Sequence, residues 1–212
     1  MNDRLDLTPE DLLTTTRTVR KRLDLDRPVE RSLVEKCLRL AFQAPNGSNR
    51  QTWQWICIDD QATKSAAADI YRGALDDMVN RPRSDNERPP DTPEQRRMAS
   101  SVAYLSENLH KVPVLVVPTF AGRVEDESVF WQASRWGSIC PAIWSFMLAL
   151  RLHGLGSSWT TLHLWRERDM GELLGIPPTE TQAGLFPVAF TLGTQFKPAD
   201  RLASERRIRW NV

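Results

Sequence analysis

The chain has 212 residues, which is enough for one domain with a sizeable hydrophobic core. Hydrophobic residues make up 41% of it and charged residues 26%, as in ordinary globular proteins. The formal net charge of +1 gives no global attraction to nucleic acid or to a membrane surface, so we expect neither as a partner. The polar start lacks the apolar core of a secretory signal, and the most apolar stretch, 139–150, is too short to span a bilayer. We therefore expect a cytoplasmic protein.

Cysteine and histidine are scarce and scattered. The three cysteines, Cys37, Cys57 and Cys140, show no CxxC spacing, and no two of the three histidines stand at metal-ligand spacing. We expect reduced thiols, as in a cytosol, and no structural zinc site.

Helical periodicity and turn residues divide the first part of the chain into helices and one strand. Thr8 suits the N-cap of a first helix, because its hydroxyl can accept from a backbone N–H of the first turn, and Pro9 suits the first helical position. The predicted elements are a helix from Thr8 to Arg17–Arg20, a helix over 33–44 that stops at Pro45, a strand over 53–58 and a helix whose apolar face runs over 66–75.

A proline-rich and charged segment, 80–93, interrupts this pattern. It contains Pro82, Pro89, Pro90 and Pro93. This composition disfavours both helix and strand, so we expect a mobile loop or lid. Because nothing after it looks like a second domain, we expect residues 1–212 to form a single domain.

The rest of the chain alternates apolar strands and helices. The most apolar helix is closed by Gly154, the residue type preferred just after a helix C-terminus. The predicted elements are a helix over 98–109, a strand buried on both faces over 112–120, a long buried helix over 136–153, a short strand or turn over 156–161, a helix over 167–174 and a buried strand over 185–192. The mixture predicts an α+β fold.

The last segment, 193–212, has neither a helical nor a strand period. It nevertheless carries four large apolar residues, Phe196, Leu202, Ile208 and Trp210. Apolar side chains on an irregular tail need a surface to pack against, and we expect that surface to be a partner subunit.

A first cluster of chemically useful residues is Arg17-Thr18-Val19-Arg20-Lys21. Two guanidinium groups flanking a hydroxyl can hold a phosphate monoester, since guanidinium donates two parallel hydrogen bonds and the hydroxyl adds another donor. The alternative is a solvated helix end whose cations interact favourably with the helix dipole.

A second cluster lies in the segment 44–53. Pro45 and Gly47 predict a turn, and Asn46, Ser48, Asn49 and Gln51 gather amide and hydroxyl groups at the entrance of a strand. Carboxamides both donate and accept, which suits the mixed edge of a flavin pyrimidine ring. The alternative is an ordinary polar loop with Asx turns.

A third cluster follows the long apolar helix, over 154–163. The helix ends at glycine and the chain runs directly into a hydroxyl-rich segment that contains Trp159, Thr160 and Thr161. Its hydroxyls and backbone N–H groups can lie against a flat ring system. The alternatives are a plain helix cap followed by a strand and, for His163, a structural hydrogen-bonding role rather than contact with a substrate.

The order and spacing of these clusters resemble the nitroreductase superfamily. The matching motifs are Arg-[Ser/Thr]-Val-Arg after the first helix, Ala-Pro-x-x-x-Asn-x-Gln-x-Trp about thirty residues later, Gly-Leu-Gly after the long helix, Leu-Gly-Ile-Pro at 174–177, and a basic tail near Trp210-Asn211. The resemblance covers nearly the whole chain apart from 80–93.

The resemblance implies a central, mostly antiparallel sheet flanked by helices, and a homodimer that holds FMN at the subunit interface. The C-terminal tail would extend onto the partner subunit. The residues that it assigns to FMN are Arg17, Thr18 and Arg20 for the phosphate and ribityl chain, Pro45, Asn46, Asn49 and Gln51 along the flavin, Trp159, Thr160 and Thr161 facing the ring, and Arg201 returning to the phosphate, with Arg206 and Arg207 as alternatives.

The activity that the resemblance implies is an oxidoreductase with FMN as cofactor, NAD(P)H as transient reductant and a small flat acceptor, a nitroaromatic or a quinone, in a ping-pong cycle. No protein nucleophile, metal or other catalytic side chain is needed, because the flavin carries the chemistry. Two alternatives stay open. One is sibling FMN chemistry, as in a reductive dehalogenase, an enoate reductase or a flavin destructase, and the other is storage of FMN without turnover.

Three positions depart from the usual pattern of such proteins. Thr16 stands where many have another arginine, Thr18 replaces a serine, and Thr52 replaces the proline of Gln-Pro-Trp. The segment after Thr161 also lacks a Gly-Gly-Phe motif, so the substrate side of the pocket is less well specified than the flavin side. From their positions, 132–141 and 80–93 are expected to shape the substrate channel.

Overall fold

The computed structural model describes residues 4–82, 91–201 and 207–210. Within them the helices are α1 (Pro9–Thr15), α2 (Arg31–Ala41), α3 (Gln61–Asn80), α4 (Pro93–Asn108), α5 (Val129–Leu152) and α6 (Glu167–Leu174), and the strands are β1 (Trp53–Ile58), β2 (Val114–Ala121), β3 (Leu155–Gly156), β4 (Glu180–Gln182) and β5 (Phe186–Phe190). The sheet has the order β1-β2-β5-β3, with β4 also beside β2, and these strands pair antiparallel. The predicted α+β class is confirmed.

Apolar layers cover both faces of the sheet. Along β2, Val114 and Val116 face a cluster that includes α2 and α5, whereas Leu115 and Val117 face a second cluster that includes α3 and α4. Successive side chains of a strand point to opposite faces, so a continuous apolar run is what a strand between two layers requires. The prediction that this strand is buried on both faces is therefore confirmed.

Helix α5 is the central helix of one layer. Ile143, Phe146 and Leu150 along it are fully buried. The helix begins at Val129 rather than at the predicted 136. Its first turn carries Val129 and Phe130, which are 83% and 70% exposed, so this end of the helix presents apolar surface that the chain itself does not cover.

The first helix is shorter than predicted, because α1 ends at Thr15 and not near Arg17–Arg20. Thr14, Thr15 and Thr16 each donate their hydroxyl to the carbonyl oxygen four residues earlier, at 2.6–2.7 Å. Threonine is stiff at χ1, and hydroxyls that compete for helix carbonyls disfavour further helix. The basic cluster therefore lies beyond the helix, on extended chain at 17–19 and in a turn at 20–22, and its interpretation as a solvated helix end is wrong.

Other boundaries differ in smaller ways. Strand β4 and the 3-10 helices Gly47–Asn49, Leu109–Lys111 and Leu162–Arg166 have no counterpart in the predicted elements. The ends of the expected lid, Asn80 and Pro93, belong to α3 and α4, and residues 83–90 lie outside the described residues. All three cysteines are free thiols. No helix among the described residues is long and apolar enough to cross a membrane.

Candidate functional site

The first cluster lies on an extended segment at the edge of the sheet, next to β3. Thr18 forms a parallel bridge with Ser157, and the backbone N–H of Val19 donates to the carbonyl oxygen of Ser157 at 2.8 Å. A Cβ atom on Gly156 would lie 2.6 Å from Cγ2 of Thr191 and 3.0 Å from Cβ of Val19. Glycine is thus required at 156 for this close approach, which brings the first and third clusters together.

The segment 17–22 contains four cationic residues, and all four side chains donate to neutral oxygen atoms. The acceptors are the carbonyl oxygen of Lys197 for Arg17 (2.9 Å), Oγ of Ser101 for Arg20 (3.3 Å), Oγ of Ser100 for Lys21 (2.8 Å), and the carbonyl oxygens of Leu192, Gly193 and Gln195 for Arg22. None of the four forms an ion pair with a carboxylate in the described part of the chain. Their positive charge is therefore available to an anion.

Arg20 is the half-buried member of this group. Its Nε has no hydrogen-bond partner among the described residues, and burial lowers the pKa of its guanidinium. The phenol of Tyr71 is close enough to favour the charged form. A guanidinium withdrawn from water without a full set of acceptors is a strong donor for an incoming ligand.

The hydroxyl-rich segment 157–161 divides into buried and exposed members. Trp159 donates its indole N–H to the carbonyl oxygen of Ala183 at 2.9 Å, and the hydroxyl of Thr160 is 2.7 Å from that of Tyr71. Thr160 is buried whereas Thr161 is exposed. The polar groups of Trp159 and Thr160 thus face the protein, and of the three ring-facing candidates Thr161 presents an accessible hydroxyl.

Tyr71 is a residue of this site that the sequence did not single out. It appeared there as one member of the apolar face of α3. In the structure it is 1% exposed, and burial raises the pKa of its phenol. Its hydrogen bond to Thr160 ties α3 to the segment that presents Thr161. A tyrosine on the alanine-rich apolar face of a helix could have indicated this role, because a buried phenol hydroxyl requires a hydrogen-bond partner.

The second cluster forms a tight loop with unusual backbone angles. Ser48, Asn49 and Gln51 have φ values of 55°, 52° and 50°. Such left-handed conformations are uncommon for residues other than glycine and concentrate at functional sites. The loop is held from within, because Asn46 Oδ1 accepts the backbone N–H of Gln51 and Asn49 Oδ1 accepts from Gln51 Nε2, both at 3.1 Å.

This loop packs on the first half of α5, far from the basic segment. The backbone N–H of Gly47 donates to Oγ of Ser138 at 2.8 Å. The C-terminal end of α5, which leads into β3, lies roughly 20 Å further along the axis at 1.5 Å per residue. The structure therefore brings together Arg17, Thr18 and Arg20 with 157–161, and it places Pro45, Asn46, Asn49 and Gln51 in a separate cluster. Beside them are Arg50, an exposed cation, and Trp131, whose ring centroid is 5.9 Å from the Arg50 guanidinium carbon.

The first residues of the tail contact the basic segment. Phe196 is half-buried, with the guanidinium carbons of Arg22 and Arg151 over its ring at 4.2 and 4.9 Å. Of the apolar tail residues, Phe196 thus packs on its own chain, whereas Ile208 and Trp210 are 55% and 82% exposed. Arg201 is exposed and donates to the carbonyl oxygen of Asp200 at 3.5 Å, Arg207 is exposed, and Leu202 and Arg206 lie outside the described residues.

These features agree with a comparison against protein families, in which the model of the nitroreductase family matches residues 13–190. The chain belongs to the nitroreductase family. The match extends over both the basic segment and the strained loop. Comparison with curated proteins gives no significant match.

Solved structures of the same fold support the assignment. The iodotyrosine deiodinase bound to FMN and 3-iodo-L-tyrosine is 19% identical, with a TM-score of 0.73 over 96% of this chain and 98% of that one. The FMN and NADPH-dependent nitroreductase NfnB from Sphigopyxis sp. strain HMH is 20% identical, with a TM-score of 0.71 over 97% and 100%. A nitroreductase-like protein from Bacillus cereus is 18% identical, with a TM-score of 0.71 over 97% of each chain. At these identities the likeness shows the fold.

His163 of this family member is a core residue. It is fully buried in the 3-10 helix after Thr161, so it does not present its imidazole to a substrate. Burial lowers its pKa to about 4, while Gln182 and Glu167 partly oppose the shift. The imidazole is therefore neutral in the folded protein near neutral pH.

We expect His163→Gln to remove part of the acid sensitivity of the fold. Between pH 6.5, where an unfolded histidine titrates, and pH 4, where folded His163 does, the unfolded chain binds the extra proton. The free energy of unfolding consequently falls as pH decreases through this window, by roughly 3 kcal/mol for this one group. Urea unfolding at pH 7 and pH 4.5 measures the difference between wild type and variant. An unchanged pH dependence in His163→Gln would contradict the assignment.

Proposed function

We propose that this chain is an FMN-dependent oxidoreductase that uses NAD(P)H to reduce flat acceptors such as nitroaromatics or quinones, and that it works as a homodimer with the flavin between the subunits. The observation that carries the proposal is the group of four cations beside the segment 157–161, none of which pairs with a carboxylate of residues 4–82, 91–201 or 207–210. A phosphate needs that charge, and a flat ring needs the adjacent extended backbone.

In this proposal, different residues bind different parts of FMN. Arg17, Thr18 and Arg20 bind the phosphate and ribityl chain, with Arg201 of the tail as a further cation. Thr161 faces the ring, and Trp159 and Thr160 support that segment from beneath through their bonds to Ala183 and Tyr71. When bound, FMN supplies the transfer of reducing equivalents from NAD(P)H to the acceptor.

The loop that carries Pro45, Asn46, Asn49 and Gln51 belongs in this proposal to the second subunit. On its own chain it lies against the first half of α5, so it cannot lie along a flavin held at the far end of that helix. A two-fold dimer solves this problem, because each loop can meet the basic segment of the other chain. In that arrangement the carboxamides of the loop would be the groups available to the pyrimidine edge of the flavin.

Exposed apolar surface supports the homodimer. Phe130, Trp131 and Trp144 on α5 are 70%, 45% and 40% exposed, and Trp210 of the tail is 82% exposed. Monomers rarely expose so many large apolar side chains on one helix. Burying them against a second copy would stabilise the dimer and exclude water from the flavin.

Removing residues 201–212 should convert the protein to a monomer that retains little FMN. The deletion spares the carbonyl groups that Arg22 binds and the packing of Phe196, so the chain should still fold. It removes Ile208 and Trp210, which are 55% and 82% exposed on their own chain. Sedimentation equilibrium and FMN absorbance measure the two effects. A truncated protein that stays dimeric and yellow would contradict the role of the tail.

The proposal is tested by the absorbance spectrum of the purified protein between 300 and 550 nm, before and after anaerobic NADPH, followed by steady-state NADPH oxidation with a quinone. We expect a flavin band that bleaches and turnover that depends on the quinone. A flavin band that bleaches without turnover with any acceptor would favour FMN storage. No flavin band, even after FMN is added, would contradict the proposal.

A second candidate is reductive dehalogenation with the same cofactor. The exposed hydroxyl of Thr161, next to the place proposed for the ring, is the observation that favours it. The assay that separates the two supplies a halophenol and a nitroaromatic in parallel under anaerobic conditions with NADPH as the reductant, because dithionite would itself reduce the nitro group. Release of halide from the phenol with no reduction of the nitro group would favour the second candidate.

A further inference from the structure

A polar cavity lies behind the basic segment, between the N-terminal chain, α1, the last turn of α5 and the start of the tail. Its volume is about 310 Å³, and Thr15, Arg151 and Gln195 are among the residues that line it. None of the residues assigned to FMN lines this cavity. It is therefore a separate feature of the fold.

Arg151 is a buried cation without an adequate partner. The residue is 5% exposed, and neither Nε nor Nη1 has a hydrogen-bond partner among the described residues. Nη2 donates to Oγ1 of Thr15 at 3.5 Å, which is the outer limit of a hydrogen bond. Leaving buried charged donors unpaired is strongly destabilising, so the arrangement calls for an acceptor.

The surroundings of Arg151 make an anionic acceptor more favourable. The charged group that acts on it is another cation, Arg22, and the guanidinium carbons of both lie over the ring of Phe196. Arg22 supplies no acceptor to Arg151, because a guanidinium only donates, and three of its N–H groups donate to carbonyl groups of the tail. Burial and Arg22 together lower the pKa of Arg151.

We propose that the cavity beside Arg151 is a binding site for a small monocarboxylate. The carboxylate would accept from Nε and Nη1 of the Arg151 guanidinium, the donors that have no partner among the described residues. Asp6 and Asp11 also line the cavity, and both are exposed, Asp11 accepting from the hydroxyl of Thr8. Their negative charge opposes a doubly charged anion more than a singly charged one, so the site favours a carboxylate over phosphate.

Thermal unfolding of the FMN-loaded full-length protein tests the site, with sodium acetate titrated against sodium chloride at equal ionic strength. We expect a saturable rise of the melting temperature in acetate, of about 5–10 °C at 100 times Kd. Arg151→Met should abolish the rise without lowering the melting temperature in chloride, because an apolar side chain of similar length removes the unpaired charge. Arg168→Met, at a position 88% exposed and paired with Glu172, is the matched control and should respond like wild type.

Comparison of phosphate with acetate tests whether the site prefers a singly charged anion over a doubly charged one. Inorganic phosphate should raise the melting temperature less than acetate, and Asp6→Asn should increase the phosphate response. A larger response to phosphate than to acetate overturns the monocarboxylate assignment. The site itself is overturned if acetate gives no rise beyond chloride, or if Arg151→Met lowers the melting temperature in chloride, since Arg151 is then satisfied within the chain. Release of FMN by acetate would show that the cavity is part of the flavin site, which also overturns the proposal.

Discussion

Replacing Gly156 with valine is expected to remove most of the FMN from the protein. The new Cβ atom would lie 2.6 Å from Cγ2 of Thr191 and 3.0 Å from Cβ of Val19. Thr191 directly follows β5 and donates its backbone N–H to the carbonyl oxygen of Gly154, whereas Val19 lies on a segment outside the named strands. Overpacking of this kind costs about 1–3 kcal/mol. Because the extended segment is the more easily displaced side, most of that cost should fall on the position of Thr18 and Arg20, and FMN affinity should decrease by about 5- to 150-fold.

The measurement is titration of the apoprotein with FMN, followed by quenching of flavin fluorescence. Gly171→Ala in α6 is the matched control, since a Cβ atom at Gly171 would meet Nε2 of Gln182 and the carbonyl oxygen of Ile176 at ordinary contact distances of 3.6 and 3.7 Å. Alanine is the better helix former, so this variant should bind FMN as wild type and be slightly more stable. Wild-type affinity in Gly156→Val would show that the contact between 156 and 19 does not position the cofactor site.

Arg20→Met should weaken FMN binding by about 10- to 150-fold, which corresponds to the loss of one charged hydrogen-bonding group of about 1.5–3 kcal/mol. Arg20 forms a single described hydrogen bond, to Ser101 at 3.3 Å, and its Nε is unpaired. Removing the guanidinium therefore leaves almost nothing unsatisfied, and the free energy of unfolding of the apoprotein should change little. A loss of FMN affinity without a loss of apoprotein stability is the result expected for a residue that binds the ligand.

Arg39→Met is the control for general electrostatics. Arg39 lies on α2, is largely exposed and pairs with Glu35 at 3.7 Å. Its removal changes the net charge by the same amount but should leave the dissociation constant of FMN unchanged. If Arg20→Met destabilised the apoprotein and left FMN affinity intact, Arg20 would be a structural residue and the basic segment would not hold the phosphate.

The parts of the fold that could be predicted are those with a strong local pattern. The bounds of β1 and α6 agree with the prediction to the residue, because aromatic and β-branched residues mark the strand and Gly175, with φ of 66°, closes the helix. The apolar run of β2 likewise predicted a strand between two layers. In these elements local preference and tertiary packing act in the same direction.

Other features depend on contacts that a local pattern does not encode. The three threonines that end α1 are each acceptable in a helix, and their combined effect appears only with their hydroxyl bonds. The role of Thr160 is set by Tyr71, 89 residues earlier in the chain. The left-handed residues of the loop 46–51 depend on their mutual bonds and on Ser138 of α5. The motifs thus indicated which segments form the site, while tertiary contacts decide which side chains are accessible.

The most direct test of the shared flavin site is complementation between two variants in one dimer. One chain carries Arg20→Met and the other Gln51→Gly, which deletes the carboxamide and also suits the φ of 50° at that position. Each homodimer should bind FMN weakly. If the basic segment of one chain and the loop of the other form each site, the purified heterodimer contains one intact site and should bind one FMN per dimer with wild-type affinity. A heterodimer that binds FMN as weakly as both homodimers would show that each site lies within a single chain, contrary to this account.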